Sequence, residues 1–336
     1  MIVYSQFHPE NAATALRIAE NAAQWMMKNS VKEPVSMRGL PITYFDYYHR
    51  TRHLGDPWDS KKIAHEQRNR IMMIYPANPV ATSFIKLWKQ TGKQEYFDYA
   101  RNIADLYLLH QRENGTWPLL LEFPSGKEVG KNFANPPAIC RFLRTMTTLT
   151  KDEKYLKAAL RAEACMNIRI DTFDWEGQFE DGAPQREKYR NPSFHTAIQI
   201  YSYMLDTYGA KYLSGGEEVS RWAEDQFVVW GSPARSNWYT PGVLEQYSCY
   251  VTIDGSYCAM LNYWLKLYSF TKNEIYRRKA LALGDAITRN LRPDGMIPTV
   301  FPYDPNRAGR NWLNCMISSI ETLMRLDAEV SGRTEK

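Results

Sequence analysis

The sequence predicts an all-α fold, an (α/α)6-type toroid of helical hairpins. Three observations carry this: an internal repeat, a Pro or Asn signal ahead of each apolar helix, and regular alternation of apolar with amphipathic helices. Segments beginning at Tyr96, Tyr155 and Tyr276 each read Tyr-x-x-x-Ala (Ala100, Ala159, Ala280) followed by an apolar helical stripe. Their spacings are 155 − 96 = 59 and 276 − 155 = 121, the second close to twice the first. A degenerate copy over 217–230 fills the gap, and 11–28 supplies a fifth. Periods of this size mark stacked supersecondary units that cannot bury their apolar faces alone.

Each of these amphipathic helices follows a more apolar one introduced by Asn78-Pro79, Asn135-Pro136-Pro137, Asn191-Pro192 or Asn311-Trp312. Proline is tolerated in a first turn because its missing N–H would be unpaired there anyway. The repeating unit is therefore a helical hairpin. Its first helix is apolar around much of its circumference, as an inner layer requires, and its second is charged on one face, as an outer layer requires. About five hairpins are legible, fewer than the six of a full toroid. Either the 46–75 region, ambiguous over 60–75, supplies the rest, or part of an N-terminal hairpin is lacking. No low-complexity linker divides the chain, so 1–336 is expected to be one domain.

The composition narrows the functional classes. A hydrophobic share of 44% with 24% charged residues is ordinary for a folded protein, whereas 10 Trp and 22 Tyr exceed what the core needs, so some rings are expected to line a cleft. The formal charge of +5 comes without a run of basic residues, which argues against a nucleic-acid or membrane partner and weakly favours an acidic small substrate. Five cysteines, Cys140, Cys165, Cys249, Cys258 and Cys315, lack C-x-x-C spacing and read as small core residues rather than a zinc site or disulfide framework. There is no phosphate loop, G-x-S-x-G elbow or H-E-x-x-H, and no cofactor or metal is expected. Residues 1–30 lack a basic-then-apolar export signal, which fits a cytoplasmic protein or a periplasmic one with its signal removed.

Hairpins of this length, the Tyr-x-x-x-Ala helix, and outer-to-inner loops reading Asn114-Gly115-Thr116-Trp117-Pro118 and Pro293-Asp294-Gly295-Met296-Ile297-Pro298 resemble the six-hairpin glycosidase superfamily. The resemblance covers about 78–327. It implies a toroid acting on carbohydrate, a class that includes unsaturated glucuronyl hydrolases, polysaccharide lyases and sugar epimerases. One toroid hosts several chemistries, so the resemblance assigns no residue a catalytic role.

In a toroid the loops entering the inner helices converge at one mouth. The richest, 171–195, carries Trp175, Glu180, Asp181 and His195; a second, 231–255, carries Trp238, Tyr239, Glu245, Tyr247 and Asp254. Carboxyls among rings suit sugar hydrolysis, in which one protonates the leaving oxygen and another activates water or stabilises positive charge. Glu180 and Asp181 are the first candidates, with Glu245 and Asp254 beside them; Asp254 reads equally well as a cap for the helix near Tyr257. Glu122, Trp117 and Trp312 are candidate sugar contacts, Trp25, Trp88, Trp222 and Trp264 candidate core, and Arg310 a fork for a uronate carboxylate. His195 is either a proton shuttle or a hydrogen-bonded structural histidine. The expected activity is hydrolysis of glycan-derived oligosaccharides bearing an acidic sugar. The alternatives are a uronate lyase with a Tyr or His base and a non-catalytic glycan binder.

Overall fold

Helices pair into hairpins in the computed structural model, which describes residues 9–41, 71–177, 190–231, 240–247, 249–301 and 312–332; those starting at Ala77, Pro136 and Phe194 follow or contain an Asn-Pro signal, whereas the helix at Asp254 follows Ile253 without one. The chain divides into two compact units, Met1–Phe173 with Phe179–Pro184 and Asp174–Gln178 with Gln185–Lys336. The first holds α1 (Ala12–Asn29) and the hairpins α2/α3 (Ala77–Thr91, Gln94–Leu109) and α4/α5 (Pro136–Thr150, Glu153–Thr172). The second holds the hairpins α6/α7 (Phe194–Tyr208, Leu213–Phe227) and α8/α9 (Asp254–Thr271, Glu274–Arg289), then α10 (Leu313–Val330).

In α6/α7 the two helices are joined by a short 3-10 segment, Gly209–Tyr212, and in the other three of the four hairpins by a recurring three-residue turn: Thr91-Gly92-Lys93, Thr150-Lys151-Asp152 and Thr271-Lys272-Asn273. In each, the Thr hydroxyl donates to the carbonyl four residues back (2.8, 2.7 and 2.8 Å) and accepts from the N–H two residues on (3.3, 3.2 and 3.1 Å). The middle residue is left-handed, with φ 70° at Gly92, 62° at Lys151 and 55° at Lys272. A side chain costs about 1–2 kcal/mol in that region, partly offset by glycine's greater unfolded-state entropy. Lys272→Gly is therefore expected to raise stability by about 0.5–1 kcal/mol, read as the urea midpoint at unchanged slope.

The Tyr of the Tyr-x-x-x-Ala motif ties neighbouring second helices together. Tyr155 on α5 donates to Asp105 Oδ1 on α3 at 2.9 Å, Tyr276 on α9 to Glu217 Oε1 on α7 at 2.8 Å, and Tyr96 on α3 to Glu20 Oε1 on α1 at 3.3 Å. The Ala four residues on has no exposed surface in any of the three and lies on the packed face of its helix. In α7 the same position is Gly216, whose carbonyl accepts from the Tyr263 hydroxyl at 2.9 Å.

The connections from a second helix to the next first helix contain strands that the helical periodicity does not announce. In the first unit β1 (Ile71–Met73), β2 (Pro118–Glu122) and β3 (Glu128–Phe133) form an antiparallel sheet in that order. In the second, β4 (Val228–Val229), β5 (Gly242–Gln246), β6 (Cys249–Ile253) and β7 (Val300–Phe301) do the same. Part of the ambiguous 60–75 segment is thus strand. The two Gly loops are superimposable in their bonding: Arg112 N donates to Thr116 O and Gly115 N to Arg112 O, as Arg292 N does to Met296 O and Gly295 N to Arg292 O. Asn114 Oδ1 and Asp294 Oδ1 each accept from the N–H two residues on.

First helices are the more deeply buried in the hairpins α4/α5, α6/α7 and α8/α9, whereas in α2/α3 the second helix buries more of its residues. On α8, Tyr257, Met260, Leu261, Trp264 and Leu267 are enclosed, while α9 buries one stripe through Tyr276, Ala280, Leu283 and Ile287. Trp25, expected in the core from its helical stripe, is 63% exposed on α1, and Trp88 and Trp222 are half-buried. Trp264 is core as its stripe predicts.

Candidate active site

Within the second unit, the N-terminal ends of three first helices are joined by side-chain and backbone bonds. Thr299 links two of them, its carbonyl accepting from Asp254 N at 3.0 Å and its Oγ1 from Trp312 N at 2.7 Å, so that α8 and α10 begin side by side. His195, second residue of α6, places Nε2 3.0 Å from Ser256 Oγ on α8. The chain ahead of α6 is fixed by short pairings between 174–177 and 190–193: Ser193 N donates to Trp175 O, Gly177 N to Asn191 O, and Asn191 N to Glu176 Oε1 at 2.7 Å. Asn191 Nδ2 then reaches Gln246 Oε1 on β5 at 3.1 Å, and Tyr247 N reaches Pro192 O at 3.2 Å, fastening β5 to the start of α6.

Asp254 sits at the centre of this arrangement. It is the first residue of α8 and has no accessible surface. Gly255 N donates to its Oδ1 at 2.8 Å, the Ser319 hydroxyl to its Oδ2 at 3.1 Å, and the Cys315 thiol also bonds it. Burial pushes its carboxyl up from 3.8 and outweighs the lowering by these three donors, leaving it at about 6. A carboxyl in this position can carry a proton at a pH where an ordinary aspartate has lost it. The cap expected at Asp254 is not formed: Ile253 occupies the N-cap position without a side-chain cap bond, and Asp254, the first helical residue, accepts only from the adjacent Gly255 N–H rather than from an N–H two or three residues on.

Burial, the charges of Asp254, Cys258 and Glu245, and the hydrogen bond to Asp254 push the Cys315 thiol up to about 12. Asp254 makes the largest charge contribution to this shift, and Glu245, half-buried on β5, the smallest. His195 keeps some accessible surface, yet burial pushes its imidazole down to about 4, so the ring is neutral at physiological pH.

The other residues singled out in the sequence fall in several places. Trp117 has no accessible surface; it fills the core of the first unit, with Nε1 donating to Tyr107 O at 2.7 Å. Trp175 is buried against Tyr201. Glu122 ends β2 on the surface and accepts from the Ser125 hydroxyl at 2.5 Å. Tyr247 is exposed, its hydroxyl bonded to Gln226, and Trp312 is exposed at the start of α10. Glu180, Asp181, Trp238, Tyr239 and Arg310 lie outside the described residues. Ser256, Cys315 and Ser319 were not legible as site residues. Their signal is faint: small polar side chains recurring at Cys315, Ser319 and Thr322 on the buried side of α10.

Comparison with solved structures places this architecture. The chain is similar to a family GH76 α-mannanase of Bacteroides thetaiotaomicron, with a TM-score of 0.54 and 17% identity over 77% of this chain and 70% of the other. It is similar to a cellobiose 2-epimerase of Spirochaeta thermophila, with a TM-score of 0.59 and 16% identity over 78% and 72%. An unsaturated glucuronyl hydrolase specific for heparin matches with a TM-score of 0.53 and 12% identity over 75% and 74%. No protein-family model matches the sequence, and neither does any curated protein. At these identities the likeness is one of fold alone, the mostly helical (α/α)6-type architecture that the helical repeat predicts.

Proposed function

We propose that the chain is a carbohydrate-active enzyme, and specifically a glycoside hydrolase acting on glycan-derived oligosaccharides that carry an acidic sugar. The observation that carries this is Asp254, a buried carboxyl at the start of an inner helix, bonded by the Gly255 N–H and the Ser319 hydroxyl, that holds its proton up to about pH 6. Two carboxyls in different surroundings are what glycoside hydrolysis uses, one as acid and one as base or nucleophile. Asp254 is assigned the acid: it delivers its proton to the glycosidic oxygen as the bond to the anomeric carbon breaks, a step that requires the helix end around it, closed in this structure, to open to the substrate. Glu245 is assigned the partner that takes a proton from the attacking water or stabilises the developing positive charge. Glu180 and Asp181 remain candidates for that second role.

The acidic sugar is supported by the formal charge of +5 and by the expected fork of Arg310. The similar structures include proteins named for hydrolysis and for epimerisation, so the reaction rests on the carboxyls and not on the fold. The test is incubation with a panel of acidic and neutral oligosaccharides, following reducing ends and ultraviolet absorbance together. New reducing ends without absorbance are expected. Absorbance from an unsaturated product would transfer the assignment to a lyase, and binding without turnover to a glycan-binding protein.

A further inference from the structure

We infer that Ser319 is a positioning residue for Asp254, holding its carboxylate through a hydroxyl that is itself oriented by the Cys258 thiol. The inference rests on the reading of Asp254 as the proton donor. All three groups are buried: Asp254 and Ser319 have no accessible surface and Cys258 is 3% exposed. Ser319 Oγ lies 3.1 Å from Asp254 Oδ2 and 3.3 Å from Cys258 Sγ.

Donor counting fixes the direction of this chain. An ionised carboxylate only accepts, so Ser319 must donate its single proton to Asp254. Its oxygen is then free to accept, and the Cys258 S–H is the donor beside it. That thiol keeps its proton, because burial pushes it up to about 11. When Asp254 takes up a proton it becomes a donor itself, and the donors already aimed at it, the Ser319 hydroxyl, the Gly255 N–H and the Cys315 thiol, no longer all find an acceptor. The chain therefore favours the ionised form and opposes burial, which favours the neutral one. The two terms together set the balance that a group giving up and regaining a proton in each turnover requires.

The other titratable groups around Asp254 are Cys315 from α10 and, acting on the same thiol, Glu245 from β5; His195 from α6 meets this helix end at Ser256. Among the described residues, no Lys, Arg or His bonds the Asp254 carboxylate. Ser319 is thus the principal side-chain hydroxyl by which the fold resists protonation there. Neighbouring polar groups continue the seam between α8 and α10: Asn262 Nδ2 donates to Cys258 O at 2.9 Å and to Thr322 Oγ1 at 2.8 Å, which fixes Cys258 from behind.

The test is a carboxyl NMR titration of isotope-labelled aspartate in the full chain, with the Asp254 resonance assigned by its loss in Asp254→Asn. Ser319→Ala is expected to move the Asp254 midpoint upward by about one to two pH units, the equivalent of one charge-assisted hydrogen bond, and Ser319→Thr to leave it near the wild-type value. Cys258→Ala, which removes the donor behind Ser319, is the second variant and is expected to shift the midpoint in the same direction by less. A midpoint unmoved in both Ser319→Ala and Cys258→Ala, with Asp254→Asn inactive on the oligosaccharide cleaved by the wild type, overturns the positioning role and leaves the proposed function standing. Retained activity in Asp254→Asn removes the proposed function whatever the titration shows.

Discussion

Gly115→Ala is expected to destabilise the protein by about 3–5 kcal/mol, and the equivalent Gly295→Ala by only about 1–2 kcal/mol. The two glycines occupy the same turn with the same bonding and nearly the same φ, 84° and 80°. What differs is the space beside them. A Cβ at Gly115 would lie 2.3 Å from Arg161 O and 2.9 Å from Ala162 N, backbone atoms of α5 that cannot swing away, whereas at Gly295 nothing lies within 4 Å. Both substitutions incur left-handed strain, and only the first also forces α5 off the loop. Chemical denaturation of the two variants measures the contrast. Equal losses would mean that α5 yields at no cost.

Asp254→Asn is expected to lower kcat/KM by about 10²–10⁴-fold while making the protein relatively more stable at neutral pH. The folded state holds the Asp254 proton to about pH 6 against 3.8 for a free aspartate, so it binds that proton more tightly than the unfolded chain does. Stability from this site is present in full below about pH 4 and is lost as the pH rises through about 6, a total of about 3 kcal/mol. Asparagine does not titrate, so the stability difference between variant and wild type should move by about that amount in favour of Asn between pH 4 and about 8. Urea unfolding at the two pH values measures the change, and a pH-independent difference would mean that Asp254 titrates normally.

The repeat was legible because each of its letters has a contact behind it. Tyr of Tyr-x-x-x-Ala reaches the carboxylate of the neighbouring second helix and Ala makes room for close packing, whereas the Thr that closes the hairpin turn was not read from the sequence. The strands were not legible. β4 and β7 have two residues each, too few for alternation to register, and β2 reads as a continuous apolar run because all but its last residue are buried. Among site residues, Asp254 stood out because Asp-Gly-Ser before an apolar helix is conspicuous locally. Ser319 and Cys315 lie more than 60 positions away on a helix whose pattern announces only its apolar side. Polar side chains on a packed face matter through the partner they meet, and periodicity does not name that partner. Trp117 shows the converse: a ring in a loop reads as exposed, yet this loop folds back and its indole N–H finds the Tyr107 carbonyl inside.

The most direct test of the account is kcat/KM against pH for oligosaccharide cleavage, measured on wild type with Asp254→Asn and Glu245→Gln alongside. The account predicts a wild-type profile that falls as the pH rises through about 6, where Asp254 loses the proton it must donate, and an Asp254→Asn variant without that limb and with little residual activity. Cleavage by Asp254→Asn at the wild-type rate, with the same fall above pH 6, would contradict it.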